Sequence, residues 1–114
     1  MLSRFCNIDY DREMAIVAEY TSNGKTRSVG VGRLILNPGG ETGEYAVLVA
    51  DDFQNNGLGL KILDTLIGVA QQKRVKNIYG IVLNDNRKML GLTKKLGFTL
   101  EKFSSEESKV TLEL

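Results

Sequence analysis

Gln54-Asn55-Asn56-Gly57-Leu58-Gly59 is the segment of this sequence whose residue types and spacing most directly imply chemistry. It follows the apolar run Val47-Leu48-Val49-Ala50 and leads straight into a helical repeat. The first turn of a helix holds backbone N–H groups without internal partners, and the helix dipole adds partial positive charge there. Glycines let a ligand reach those groups without meeting a Cβ, so the segment suits a phosphate or pyrophosphate. It is not a Walker A loop, because no Gly-Lys-Ser/Thr follows. The dinucleotide-binding fingerprint also fails, since its last glycine is missing and the preceding strands read as antiparallel. Histidine is absent and Cys6 is the single cysteine. Those counts exclude Ser-His-Asp and Cys-His catalysis, a cysteine-built zinc site and an internal disulfide. Any chemistry therefore uses carboxylates, amides, hydroxyls or the backbone.

The elements that must position this segment are legible from periodicity. Asp11 to Tyr20 sets Met14, Ile16 and Ala18 against Ala15, Val17 and Glu19, the alternation of a strand. Asn23-Gly24 is a hairpin turn signal. A second strand runs from Ser28 to Asn37, and Gly30 and Gly32 within it imply something packed closely on its backbone. After Pro38-Gly39-Gly40, the run from Glu44 to Ala50 is apolar enough to be a central strand covered on both faces. The period then changes: from Gly59, Ile62, Leu63, Leu66, Ile67 and Ala70 mark one helix face. Asn77 to Leu83 is a strand, Arg87 to Leu96 a helix with Gly97 as its C-terminal signal, and Thr99 to Phe103 and Lys109 to Leu114 closing strands. The order β-β-β-α-β-α-β-β is an α+β domain with a mixed sheet, and residues 1–114 read as a single domain. A net charge of +1 from 15 basic and 14 acidic residues gives no electrostatic case for nucleic acid or an anionic membrane. No apolar stretch approaches the roughly 20 residues that span a bilayer, and a reducing cytoplasm is the expected location.

Two motifs in this order carry a family resemblance. Gln54-Asn55-Asn56-Gly57-Leu58-Gly59 matches Gln/Arg-x-x-Gly-x-Gly/Ala, and downstream Asn86 begins a helix ending in Lys95-Leu96-Gly97-Phe98. Both resemble the GNAT superfamily of acyl-CoA-dependent N-acetyltransferases, which carries the first motif between its fourth strand and the following helix. Arg4-Phe5, Ile8 to Ala15, Val29 to Leu34, Glu44 to Val49 and Gly57-Leu58-Gly59 further resemble the acetyltransferase domain of bacterial Pat-type protein lysine acetyltransferases. There the domain is often fused to a region similar to ADP-forming acyl-CoA synthetases. Two departures stand out. The family's N-terminal strand and one or two helices are not recognisable, so the chain is expected to be part of a longer one. The helix tyrosine that serves many members as general acid is replaced by Thr93.

The resemblance implies acetyl transfer from acetyl-CoA to an amine, most closely a protein lysine, without a metal. It gives the pyrophosphate to the backbone of Gln54, Asn55, Asn56, Gly57, Leu58 and Gly59. The pantetheine arm goes to the main chain of Val47 and Val49, where the sheet is expected to splay, and Asn86 to the CoA moiety, although an asparagine there is also a favoured helix N-cap. A lysine amine is protonated at neutral pH and needs a base. Glu44 matches the glutamate of Pat-like domains, while Glu41, Asp51, Asp52 and Asp85 are lesser carboxylates. Tyr45 and Tyr79 are considered as substitutes for the missing acid, with aromatic packing the simpler role for both. The alternatives are a small-amine N-acetyltransferase and a non-catalytic acyl-CoA-binding regulatory domain.

Overall fold

The computed structural model of the chain describes residues 2–54 and 57–114, with Leu2, Ser3 and Asn7 as backbone alone. In chain order the elements are β1 (Leu2–Asp9), β2 (Glu13–Ser22), β3 (Lys25–Leu36), β4 (Thr42–Val49), a 3-10 turn (Asp51–Phe53), α1 (Leu58–Gln72), β5 (Asn77–Leu83), α2 (Arg87–Lys95), β6 (Thr99–Lys102) and β7 (Glu107–Glu113). The α+β class and the mixed sheet are as the periodicity implies, but the sheet has seven strands in the order β1-β2-β3-β4-β5-β7-β6. The added strand is β1, for which the sequence pattern gave no element. It lies at the sheet edge, antiparallel to β2. Its polar residues, Arg4, Asn7 and Asp9, hide the alternation that a half-buried strand displays.

The β2–β3 hairpin turns at Asn23 and Gly24 with φ of 53° and 77°, the pair of positive values a tight primed turn requires. Met14, Ile16 and Ala18 of β2 and Leu34 of β3 point to the face covered by α1, whose Ile62, Leu63 and Leu66 are fully buried. Complete burial of each such side chain contributes roughly 1.5–3 kcal/mol. The β3 glycines admit that helix: a Cβ on Gly30 would lie 2.7 Å from Ile62 Cδ1, and one on Gly32 3.0 Å from Leu66 Cδ1. Helix α2 covers the same face through Met89, Leu90, Leu92 and Leu96, packed on the cluster that holds Tyr45, Ile78, Val82, Phe98 and Val110. Gly97 follows α2 at φ 93°, the left-handed position expected of its C-terminal signal.

The expectation that β4 is covered on both faces is corrected. Tyr45 is buried, but Leu48 is 76% exposed, and Ile35 and Leu83 also lie open on the side away from the helices. The apolar content of Ala46 and Leu48 imitated a doubly buried strand, yet among the described residues no element packs on that face.

Candidate functional site

Every neighbouring strand pair in the sheet is antiparallel except β4 and β5. That parallel pair is held at only three positions, Thr42 with Asn77, Gly43 with Ile78 and Glu44 with Tyr79. On its other edge β4 remains paired with β3 through Val49. Beyond Glu44 the β5-facing edge of β4 therefore leaves the ladder, and the sheet opens as a V. The side chain of Tyr45, the first residue past the last pair, reaches across to β5. A Cβ on Gly80 would lie 2.6 Å from Tyr45 Cζ and 2.9 Å from Cδ2, so only glycine leaves room for the ring. The ring packs edge-on against Phe98 with centroids 5.8 Å apart. Its hydroxyl is buried without a hydrogen-bond partner, and burial pushes the phenol up to about 12.

The mouth of the V is a cleft of about 420 Å³. Val47, Leu48 and Val49 supply the β4 wall; Phe53, Gln54 and Gly57 with Leu58, Gly59 and Leu60 of α1 form one end; Asn86, Lys88, Met89 and Leu92 close the α2 side. Of the residues singled out in the sequence, Val47, Val49, Gln54, Gly57, Leu58, Gly59 and Asn86 are thus brought together in one cavity. Asn55 and Asn56 lie outside the described residues.

Each wall has a local cause. Helix α1 starts at Gly57, whose φ of 84° suits glycine, with no side-chain cap and no acidic residue in its first turn. The positive end of its dipole accordingly faces the cleft with no carboxylate from the helix's own first turn to offset it. A Cβ on Gly59 would sit 3.7 Å from Leu92 and 3.8 Å from Val49, ordinary contact distances, so protein packing does not demand glycine there. The approach to this helix is clamped: Arg27 pairs with Asp52 and lies 5.2 Å over the Phe53 ring, which stacks edge-on with Tyr20. Gln54 folds back, its Nε2 donating to Val49 O and to Asp51 Oδ1 at 3.3 Å each. Asn86 caps α2, accepting from Met89 N–H at 3.2 Å. Its cap role is therefore present, with the residue also in the cleft wall.

At the closed end of the V, Glu44 is exposed on the open face and accepts a hydrogen bond from the Tyr79 hydroxyl at 3.4 Å. Tyr79's phenol is pushed up by burial first, and then by the Glu44 carboxylate beside it. The lesser carboxylates are occupied elsewhere or remote from this end. Glu41 pairs with Lys76 at 3.6 Å, Asp51 accepts from Gln54, Asp52 belongs to the clamp, and Asp85 is exposed ahead of α2. Thr93 is buried and donates to Leu90 O at 3.0 Å, away from the cleft lining. Cys6 donates to Glu19 at 3.4 Å on the distal part of the sheet. Sequence reasoning missed Lys88, the one charged residue among those lining the cleft. Its place one residue into α2, two after a capping asparagine, is the signal that could have found it. Among the described residues no group of histidine, cysteine, aspartate or glutamate is arranged to hold a metal ion, and no helix is long and apolar enough to cross a membrane.

The meander ends in a splayed parallel pair, which sets a released strand edge beside a glycine-led helix N-terminus. The chain belongs to the acetyltransferase (GNAT) family, whose model matches residues 2–98. It is 32% identical over 110 residues to acetyltransferase PA5475 of Pseudomonas aeruginosa, covering 96% of this chain and 59% of that relative. The chain thus spans well under two thirds of the length of that curated relative. In structure it resembles the GNAT domain of S. lividans PAT, with a TM-score of 0.77 at 22% identity, over 93% of this chain and 64% of the other. It likewise resembles yncA of Salmonella typhimurium, solved with acetyl-CoA, with a TM-score of 0.73 at 24% identity, over 90% and 65% of the two chains.

Proposed function

We propose that this protein binds acetyl-CoA in the β4–β5 cleft and transfers the acetyl group to an amine, with a protein lysine as the acceptor class and Glu44 as the general base. One observation carries the reading: a strand edge released from its ladder, a helix N-terminus led by Gly57 and Asn86 share one cleft whose closed end carries Glu44. The pyrophosphate sits on the backbone from Gln54 to Gly59, Asn55 and Asn56 included, and the pantetheine arm runs along the main chain of Val47 and Val49. Backbone donors at the closed end face the thioester oxygen and stabilise the developing oxyanion. Glu44, directly or through a water, takes a proton from the acceptor. The amine nitrogen then attacks the thioester carbonyl, the C–S bond breaks, CoA leaves as the thiolate, and the proton left on the new amide nitrogen passes through water to that thiolate. The family match and the similarity to a relative named as an acetyltransferase support the reaction, and the likeness to a structure solved with acetyl-CoA is consistent with the cleft's shape. Likeness to the S. lividans domain shares only the fold, so the lysine acceptor rests on the sequence resemblance to Pat-type domains.

A second reading has a specific observation in its favour. Thr93 is committed to a backbone carbonyl, so α2 offers no phenol to protonate the leaving thiolate. A domain that binds acyl-CoA and regulates an attached partner needs none.

The test is turnover. Acetyl-CoA titrated into isotopically labelled protein should shift amides of Val47, Val49, Gly57, Leu58, Gly59 and Asn86. Thiol release should then follow addition of a lysine peptide, faster than with small amines. Glu44→Gln should keep acetyl-CoA affinity and lower kcat by about 10²-fold or more. Binding without thiol release under any acceptor would replace the enzyme reading with the regulatory one.

A further inference from the structure

Glu44 and Tyr79 form the last parallel pair before the sheet opens, on the face away from the helices. The Tyr79 hydroxyl donates to Glu44 Oε1 at 3.4 Å. On the far side of the same ring, Lys109 of β7 places its ammonium 4.8 Å from the centroid. Carboxylate, phenol and ammonium thus lie in a row across β4, β5 and β7. We propose that Tyr79 is a positioning residue that holds the Glu44 carboxylate toward the closed end of the cleft, with Lys109 fixing the ring from behind. The inference deepens the reading of Glu44 as the base and rests on it.

The surroundings leave Tyr79 as the one side chain with a hydrogen bond to this carboxylate among those described. On β3, Ile35 lies opposite Glu44, and Arg33, two pairs further along, is tied to Glu13 of β2. On β7, Thr111 lies opposite Tyr79 while Lys109 covers its ring, and Glu101 of β6 lies opposite Lys109. Near the start of β5, Lys76 is engaged by Glu41. An exposed glutamate without a tether samples several rotamers, and a base must lie within hydrogen-bond reach of its proton in the productive pose. Raised by burial and by Glu44 itself, the phenol stays protonated where the enzyme works and remains a donor. An ammonium over the ring draws electron density from the hydroxyl and strengthens that donation.

The experiment is a double-mutant cycle of Tyr79→Phe and Glu44→Gln, with kcat and KM for the amine measured against pH and acetyl-CoA affinity measured separately. Tyr79→Phe should lower kcat by about tenfold, leave KM for the amine within about twofold, and leave acetyl-CoA affinity unchanged. In the Glu44→Gln background the same change should have no further effect. Lys109→Met should reproduce part of the loss in the parent and none in Glu44→Gln. Equal losses in both backgrounds, or a loss carried by KM rather than kcat, would overturn the positioning role. So would a silent Tyr79→Phe beside a crippled Glu44→Gln, with the base reading intact. Full turnover in Glu44→Gln would instead remove the base itself, whatever Tyr79 does.

Discussion

Replacing Tyr45 by phenylalanine should stabilise this protein, an unusual expectation for a core substitution. The phenol oxygen is buried without a partner, while the ring is held between Gly80 and Phe98. Phenylalanine keeps the ring and deletes the desolvated hydroxyl, whose burial costs about 1–3 kcal/mol. We therefore expect a gain of about 1–2 kcal/mol at neutral pH, or roughly 4–8 °C or more in Tm for a domain near this size. The pH dependence supplies a second, independent signature. The phenol rises from an ordinary 10.0 to about 12 on folding. Below pH 10 it is neutral in both states and adds no pH dependence. Between about 10 and 12 the unfolded chain releases the proton and the folded chain does not, so the wild type loses stability, by on the order of 2–3 kcal/mol, that the variant keeps. Other tyrosines and lysines titrate in both proteins and cancel in the difference. The assay is urea unfolding of both proteins at neutral pH and at steps between about pH 10 and 12. A variant less stable at neutral pH would mean that the hydroxyl has a partner in the folded protein. Parallel curves at high pH would mean that the phenol is not sequestered. Because Tyr45 is not in the cleft lining, turnover should be unchanged; a loss of kcat in a stable variant would give this hydroxyl the acid role that we have not assigned it.

Two further outcomes concern the cleft walls. Asn86→Asp retains the cap on Met89 N–H and should leave stability within about 0.5 kcal/mol, whereas Asn86→Ala should cost about 1 kcal/mol. If the amide also contacts CoA, both variants lose acetyl-CoA affinity in a calorimetric titration, and unchanged affinity in Asn86→Asp would restrict the residue to capping. Gly59→Leu should fold with its Tm unchanged or slightly raised, because leucine is the better helix former by about 0.5–1 kcal/mol and a Cβ meets only ordinary contacts. Its side chain would nevertheless occupy the cleft, and acetyl-CoA affinity should fall by at least about tenfold, or about 1.4 kcal/mol. Undiminished affinity would show that the ligand does not approach Gly59.

The legible part of the sequence was local. The boundaries of β5, Asn77–Leu83, fell where the alternation put them, and the start of α1 and both ends of α2 came within about a residue because their apolar spacing and the terminal glycines are read from one element at a time. Gly30 and Gly32 announced close packing without naming the partner, which proved to be Ile62, Leu58 and Leu66. What escaped depended on partners distant in the chain. Strand β1 is defined by its pairing with β2 rather than by its own pattern, and the openness of Leu48 by the lack, among the described residues, of an element on that face. The glycine motif located one end of the site because backbone geometry demands it. Neither the Tyr45 ring over Gly80 nor the Glu44–Tyr79–Lys109 row has a sequence signature, since each joins residues from different strands.

The three-pair contact between β4 and β5 also bears on how the domain folds and breathes. From β1 through β4 the chain is a continuous meander whose neighbours meet soon after they are made, and β5, β7 and β6 form a second set of antiparallel pairs. Joining the two sets requires Thr42 to find Asn77 across the whole of α1, a long loop closed for a short ladder. This seam is the most thinly paired line in the sheet, and the helices bridge it from a single side. One seven-stranded sheet thus carries a line of weakness along its middle, set by backbone pairing before any ligand arrives.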